Sequence, residues 1–581
     1  MTEPAAKSVA VRNFSFSYES SGVWQLSNIS LDVAPGERLA IMGATGAGKS
    51  TLTMALNGLV PHHHEGQVSG EVVVEGLSTT DYDVVEIVRR VGLVMQDPET
   101  QITGQTALDD AAVGPANFGL PRAEVINRAT AALELVGMGD LLDRDTNLMS
   151  GGQKQRLVVA GVIAMNSDII VLDEPTSELD PQGTAEVFEI VRRLSADGKK
   201  TVVLVEHEPE LIADWADRLV VLDGGRVLFD GQPADFFGNA RMLATAGLRP
   251  PHVVEAASAL LAANRLTIPS GGRVPITLSE AIETFPTWDV ALAPVRMVLD
   301  VPVARENSAE IVIEARGLGH VYPGDVVALQ DVTVSISAGE FVAILGRNGA
   351  GKTTFARHLN GLLRPTSGEL IIGGKPTSDK AVSELAVDVG YVFQNPDHQI
   401  FANSVREEIG YGLGNLGWEP ERIRVRVDAV LDQVGMSDLA EKHPFTLGKG
   451  QRQRLAVASV LALKPRVLVI DEPTTGQDWL GATSMMSLVR ELNENGHTIV
   501  MITHDMSLVA EHSRRALVFA EGALIADANP HELFSSAEIL QRGTLVAPQI
   551  ATLAAVLGCP QPVTTVTEFC AQWGVEVNHA L

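Results

Sequence analysis

Cysteine is almost missing from this chain. Its two, Cys559 and Cys570, stand near the C-terminus without CxxC spacing, so neither a disulfide framework nor a zinc site can be built from them. Buried neutral thiols are expected instead. Long apolar runs are missing too: the longest, such as LAVASVLAL from Leu455 to Leu463, fall far short of the roughly 20 residues that a membrane-spanning helix needs. Positive charge is scarce, with 44 Lys and Arg against 72 Asp and Glu and a net charge of −28. That balance repels a phosphate backbone and disfavours an extended nucleic-acid interface, though a single nucleotide can still be held locally. The opening MTEPAAKSVAV has no basic region followed by an apolar stretch, so no secretion signal is expected. A soluble, cytoplasmic chain is the expectation.

What is present is globular in composition, 45% hydrophobic and 20% charged. At 581 residues the chain exceeds one hydrophobic core, so two large domains are expected. It is a tandem repeat. GATGAGKST from Gly43 returns as GRNGAGKTT from Gly346, an offset of 303 from Lys49 to Lys352. Gln96 to Gln394, Gln153 to Gln451 and Glu174 to Glu472 are each offset by 298. The first copy therefore carries five extra residues, visible where NGLVPHHHEGQVSGEV from Asn57 stands against NGLLRPTSGEL from Asn360.

Each copy begins with alternating strand-like segments, VAVRNFSFSYES from Val9 and IVIEARGLGHVY from Ile311. The apolar runs DIIVLDEP and RVLVIDEP follow, then TVVLVEHE and TIVMITHD, separated by helix-length stretches. Short, wholly apolar strands alternating with helices predict a parallel α/β sheet covered on both faces. HVVEAASALLAANRL after the first copy and PQIATLAAVLG after the second predict a small helical extension on each repeat. The expected domains are a first large α/β domain over 1–245, a helical extension and linker over 246–308, a second such domain over 309–535 and a C-terminal helical extension over 536–581.

Gly43-x-x-x-x-Gly48-Lys49-Ser50 and Gly346-x-x-x-x-Gly351-Lys352-Thr353 both sit between an apolar strand and a predicted helix, the setting a P-loop requires. Glycines, Gly46 and Gly349 among them, permit a turn whose N–H groups face phosphates, and the helix start adds its positive dipole end. Lys49 and Lys352 would reach the β- and γ-phosphates of ATP, with Thr51 and Thr354 beside them. The hydroxyls of Ser50 and Thr353 would ligate Mg2+. Asp173 and Asp471, closing the next apolar runs, supply the carboxylates that such a metal needs. Glu174 and Glu472 stand next to them to polarise the attacking water, a role that typically contributes ~10^2- to 10^4-fold in rate.

On these residues the chain resembles a pair of ABC-type ATPase domains fused in tandem. The resemblance implies, for each half, a mostly parallel sheet with an antiparallel β subdomain and a helical subdomain. It also implies that Tyr18 and Tyr322 stack on adenine, that Gln96 and Gln394 sense the γ-phosphate and Mg2+, and that His207 and His504 act as switch histidines. Asp180 and Asp478 correspond to the aspartate of the loop that crosses between paired domains. In this family the SGGQ-type motif of one domain caps the nucleotide of the other. Ser150, Gly151, Gly152 and Gln153 would thus serve the site of Lys352, Thr353, Asp471 and Glu472. In the second copy the motif reads Gly448-Lys449-Gly450-Gln451 and would serve the site of Lys49, Ser50, Asp173 and Glu174. The lost serine removes one charge-assisted hydrogen bond, worth roughly 1.5–3 kcal/mol, so the Lys352/Glu472 site is expected to turn over and the Lys49/Glu174 site to bind ATP but hydrolyse it more slowly.

The segments QDPETQITGQTALDDAAVGPANFGLP and QNPDHQIFANSVREEIGYGLGNLGWEP are similar to those of energy-coupling factor importers for vitamins and transition metals. That likeness implies a transmembrane scaffold protein and a substrate-binding membrane subunit as partners, no nucleic acid, intramolecular pairing of the two ATPase domains, and a peripheral place on the cytoplasmic face of the membrane. The rival is a soluble, non-transport ABC ATPase acting on ribosomes or DNA. No long insertion separates Lys49 from Asp173, and no lysine occurs from Thr201 through Gly351, where ribosome-acting tandem types usually carry a basic linker. His62, His63 and His64 in the five-residue expansion are expected on a surface loop, where adjacent side chains cannot converge on one ion.

Overall fold

The computed structural model describes residues 8–19, 22–177, 179–268, 272–286 and 310–577. The chain divides into two compact units, one built on residues up to Phe285 and the other on Pro286–Asn578. Of the helical extension and linker expected over 246–308, residues 269–271 and 287–308 lie outside the described residues.

In the first unit the strands are Val9–Tyr18 (β1), Leu26–Val33 (β2), Arg38–Gly43 (β3), Gly66–Val74 (β4), Leu77–Ser78 (β5), Val91–Val94 (β6), Ile169–Asp173 (β7), Thr201–Val205 (β8), Arg218–Asp223 (β9) and Arg226–Gly231 (β10). They form an antiparallel sheet, β2-β1-β4-β5, and a six-stranded sheet, β10-β9-β3-β8-β7-β6, parallel except at the β9–β10 edge. The second unit repeats both with Ile311–Tyr322 (β11), Val326–Ser337 (β12), Phe341–Leu345 (β13), Ser367–Ile372 (β14), Lys375–Pro376 (β15), Val389–Val392 (β16), Val467–Asp471 (β17), Thr498–Ile502 (β18), Arg515–Ala520 (β19) and Ala523–Ala528 (β20). Its sheets run β12-β11-β14-β15 and β16-β17-β18-β13-β19-β20.

Uninterrupted Val, Ile and Leu make the central strands because both of their faces are covered. The period of two is nevertheless kept. In β17, Val467 and Val469 join the core that holds Phe355 and Leu359 of the P-loop helix, while Leu468 and Ile470 join the core under the helices Val405–Asn415, Pro420–Gln433 and Lys449–Leu461. In β18, Val500 and Ile502 face the first core, and Ile499 and Met501 the second. The antiparallel sheet caps the P-loop helix, and the helical part covers the opposite face. The first unit is built alike, with helices Ala107–Asn117, Arg122–Leu135 and Gly151–Met165.

The extension helices fold onto their own units. In the first, His252 at the start of His252–Ala262 meets Glu210 at 3.3 Å, and Arg249 meets the same carboxylate at 3.5 Å. In the second, His531 Nε2 donates to Glu568 of the helix Val566–Gln572 at 2.9 Å. Cys570 is buried and Cys559 partly so, with burial pushing the Cys559 thiol up to about 11. Among the described residues no helix is long and apolar enough to cross a membrane.

Candidate nucleotide sites

Each P-loop links the end of a buried strand to a helix whose N-terminal cap is a left-handed glycine, Gly48 at φ 100° and Gly351 at φ 104°. A Cβ at Gly351 would stand 2.7 Å from the Ala328 carbonyl oxygen, and one at Gly48 would stand 2.7 Å from the Leu26 side chain. Neither position admits a side chain. Lys49 Nζ donates to the carbonyls of Gly43 at 3.0 Å and Ala44 at 3.2 Å, and Lys352 Nζ to those of Gly346 at 2.6 Å and Arg347 at 3.0 Å. Both lysines are buried and lie across their own loops. Tyr18 shares a hydrogen bond with Thr51 at 3.0 Å and Tyr322 with Thr354 at 3.3 Å, so each tyrosine is tied to its P-loop helix.

Glu174 is gripped from two sides. Gln96 Nε2 donates to its Oε2 at 2.7 Å, and His207 Nε2 lies 2.6 Å from its Oε1, with Lys49 at 3.8 Å. In the second unit His504 reaches Glu472 through Nδ1 at 2.9 Å, and the Thr475 hydroxyl lies 3.4 Å from the same carboxylate. Gln394 makes no hydrogen bond to Glu472 there. Glu174 and Glu472 both sit at φ 49°, a left-handed conformation that costs a branched or long side chain energy and is held by strand pairing on either side. Their N–H groups donate to Val205 and Ile502 at the ends of β8 and β18.

Asp173 and Asp471 end β7 and β17 beneath the P-loop helices. Burial raises both carboxyls above the ordinary carboxylate value, Asp471 to about 6. The Thr53 hydroxyl donates to Asp173 Oδ2 at 3.2 Å, and Asp173 Oδ1 is buried with no hydrogen bond of good geometry although the Ser50 hydroxyl bears on the carboxylate. An orphaned carboxylate oxygen beside the hydroxyl-bearing Ser50, in a site with a strong bias against its charged form, fits an arriving cation. At Asp471 the donor is Tyr391, whose hydroxyl lies 2.8 Å from Oδ2.

Ser150 caps the helix Gly151–Met165: its Oγ accepts from the Gln153 N–H at 3.3 Å, and Gln153 Oε1 accepts from the Ser150 N–H at 3.0 Å. Gly448 caps Lys449–Leu461 with half of that arrangement, since only its N–H donates to Gln451 Oε1 at 3.3 Å. Gly151, Gly152 and Gly450 take ordinary helical positions next to these caps. Lys449 folds against its own unit, where its Nζ would stand 2.3 Å from a Cβ at Gly476. Asp180 and Asp478 are themselves N-caps, accepting from Gly183 and Gly481 at 2.8 Å each. The histidine run stays on the surface: His62 Nε2 bonds the Thr79 carbonyl at 2.8 Å, and His64 packs its ring edge toward Tyr18 at 6.1 Å.

Sequence reasoning missed four residues here. Thr53 and Tyr391 hold the aspartates. His320 lies under Tyr322 with ring centroids 4.6 Å apart and packs in turn on His358 at 4.8 Å, where the first unit has Phe16 under Tyr18 at 4.8 Å. His358 carried a signal, as a histidine placed on the inward face of the P-loop helix.

The family model described as ABC transporter matches residues 26–177 and 329–475. Among curated proteins named "Putative ABC transporter ATP-binding protein", one from Caldanaerobacter subterraneus subsp. tengcongensis is 38% identical over 95% of this chain and 96% of its own. One from Methanosarcina acetivorans is 39% identical over 94% of this chain and 90% of its own. A solved structure, cbiO1 from Clostridium perfringens, described as part of the ABC transporter complex cbiONQ, is 36% identical and covers 42% of this chain and 99% of its own, with a TM-score of 0.38.

Proposed function

This chain belongs to the ABC transporter family, with two ATPase domains that bind and hydrolyse ATP, and from that premise we propose that it energises uptake of a micronutrient, a vitamin or transition metal, through separate membrane subunits of the energy-coupling factor type. A groove of about 600 Å3 on the helical part of the second unit carries this reading. It is lined by Phe401, Tyr411, Ile423 and Val427, with Arg406 and Arg424 at its edge. Phe401 is 59% and Tyr411 52% exposed, an aromatic pair whose rings meet at 4.6 Å. Large exposed aromatics in a concave site mark a surface built to be covered, here by a short helix of a transmembrane scaffold.

In each half, Lys49 or Lys352 would neutralise phosphate charge, and Glu174 or Glu472, oriented by His207 or His504, would polarise the attacking water. Mg2+, held by Ser50 with Asp173 and by Thr353 with Asp471, would offset the charge that develops on the phosphate oxygens. The two sites are unequal in this reading, because Ser150–Gln153 completes the site of Lys352 and Glu472 while Gly448–Gln451 completes that of Lys49 and Glu174. Gln and His both bond Glu174 in the first unit, so its machinery is intact, and slower turnover there is assigned to the missing serine.

The test is affinity capture of the full chain from detergent-solubilised membranes. Integral membrane proteins should accompany it, and Phe401→Asp with Tyr411→Asp should release them without changing the fold. Capture of ribosomes in their place, or membrane proteins retained by the double variant, would overturn the transport reading.

A further inference from the structure

The two units hold the aspartate at the end of β7 and of β17 in different ways. In the first, the donor comes from the P-loop helix: Thr53 Oγ1 bonds Asp173 Oδ2 at 3.2 Å, and Leu93 on β6 contributes only apolar packing. In the second, the helix position equivalent to Thr53 is Ala356, and the strand position equivalent to Leu93 is Tyr391. Tyr391 is 7% exposed and its hydroxyl donates to Asp471 Oδ2 at 2.8 Å. Arg357, where the first unit has Met54, bears on the same tyrosine oxygen. One hydrogen bond has thus been moved from the helix side of the carboxylate to the sheet side, by two exchanges at positions that are 35 residues apart in the second copy.

We propose that Tyr391 is a positioning residue of the second nucleotide site, fixing the rotamer of Asp471 so that the oxygen left free faces the cation, and that the Ala356/Tyr391 pair and the Thr53/Leu93 pair are interchangeable solutions to that one requirement. A buried carboxylate can turn about its last torsion, and each oxygen it leaves without a donor carries a desolvation cost. The Tyr391 hydroxyl, donating to Oδ2 from β16, opposes that turn. Outer-shell donors of this kind typically carry 10- to 100-fold in metal affinity.

The inference rests on the reading that Asp471 ligates Mg2+, and the experiment separates the two. In a Lys49→Ala background, which confines nucleotide to the second unit, the affinity of a fluorescent ATP analogue is measured with Mg2+ and with EDTA. Asp471→Asn should abolish the gain from Mg2+; if it does not, the ligand reading fails whatever Tyr391 does. Tyr391→Phe should leave the EDTA affinity unchanged and cut the Mg2+ gain about tenfold. Tyr391→Leu should lose as much, and Ala356→Thr/Tyr391→Leu, which copies the first unit, should recover to within about threefold of the parent.

A Mg2+ gain within twofold of the parent in Tyr391→Phe would overturn the proposal, as would an Ala356→Thr/Tyr391→Leu variant no better than Tyr391→Leu alone. If Tyr391→Phe does not fold, the mirrored pair decides in a Lys352→Ala background. There Thr53→Ala should lose the Mg2+ gain and Thr53→Ala/Leu93→Tyr should regain it, and no loss in the first of these would overturn the idea equally.

Discussion

Restoring the missing signature serine separates a structural from a catalytic role for that position. Gly448 lies at φ −65°, ψ 158°, and Ser150 at φ −69°, ψ 161°, so a serine enters the second copy without strain. A Cβ there meets nothing within 4 Å. As a helix cap the exchange is nearly silent, because serine and glycine at an N-cap differ by only a few tenths of a kcal/mol. As a donor to a γ-phosphate it is worth roughly 1.5–3 kcal/mol, which is about ten- to a hundredfold in rate if the bond forms in the transition state. Lys449→Gly should accompany it, since it restores the Gly151 side of the motif and removes an ammonium that lies over Gly476. In a Glu472→Gln background, which leaves Glu174 as the working carboxylate, Gly448→Ser/Lys449→Gly should raise steady-state ATP hydrolysis about ten- to a hundredfold while the melting temperature barely moves. In a Glu174→Gln background the same pair should do nothing. No gain in the first background would remove the signature as the cause of inequality. An equal gain in both would refute the reciprocal assignment of signatures to sites.

Three further outcomes follow from the geometry. Burial holds the Asp471 carboxyl up to about 6, and a protonated carboxyl cannot ligate; Mg2+-dependent nucleotide binding in a Lys49→Ala background should therefore weaken steeply below pH 6 and level off above pH 7, and equal affinity at pH 5 and pH 7 would contradict it. The same raised value means that the ionised carboxylate disfavours the folded, metal-free state, an effect absent below the unfolded value near 4 and complete above 6. Burial lowers His358 below the usual histidine value, so the fold keeps it neutral while the unfolded chain protonates it, and stability is lost as pH falls below about 6.5. His320→Phe/His358→Ala, copying Phe16 and Ala55, should flatten that acid limb in thermal melts taken from pH 5 to 7. Gly351→Ala places a methyl 2.7 Å from a backbone carbonyl at φ 104°, whereas Gly349→Ala at φ 81° meets open space. The first should cost well over 1 kcal/mol and abolish nucleotide binding in the second unit; the second should cost about 1 kcal/mol of backbone strain and leave binding measurable.

The double P-loop, the two DEP strands and the helical extensions could be read from the chain because each depends on residues that nothing else replaces. A lysine that must follow a left-handed glycine, or a strand that must be apolar on both faces, leaves a mark at every position. The hydrogen bond to the metal-side aspartate obeys a different logic. Leaving a buried carboxylate oxygen without a donor costs roughly 1–3 kcal/mol, so some donor must exist, but the requirement falls on an atom in space and not on a place in the chain. Compared position by position, Thr53 against Ala356 reads as a lost hydroxyl and Leu93 against Tyr391 as an ordinary exchange in a core strand. Only the fold shows that each side chain donates to the metal-side aspartate of its own unit. The degenerate signature is the opposite case: Gly448 and Lys449 are plain in the sequence, yet their consequence for the fold is slight, since Gly448 keeps the backbone of Ser150 to within a few degrees. The serine side chain adds one hydrogen bond to the cap and leaves the backbone where glycine has it, so putting it back tests whether it also acts outside that helix, and this is why its restoration, and not its structure, discriminates between the two proposed nucleotide sites.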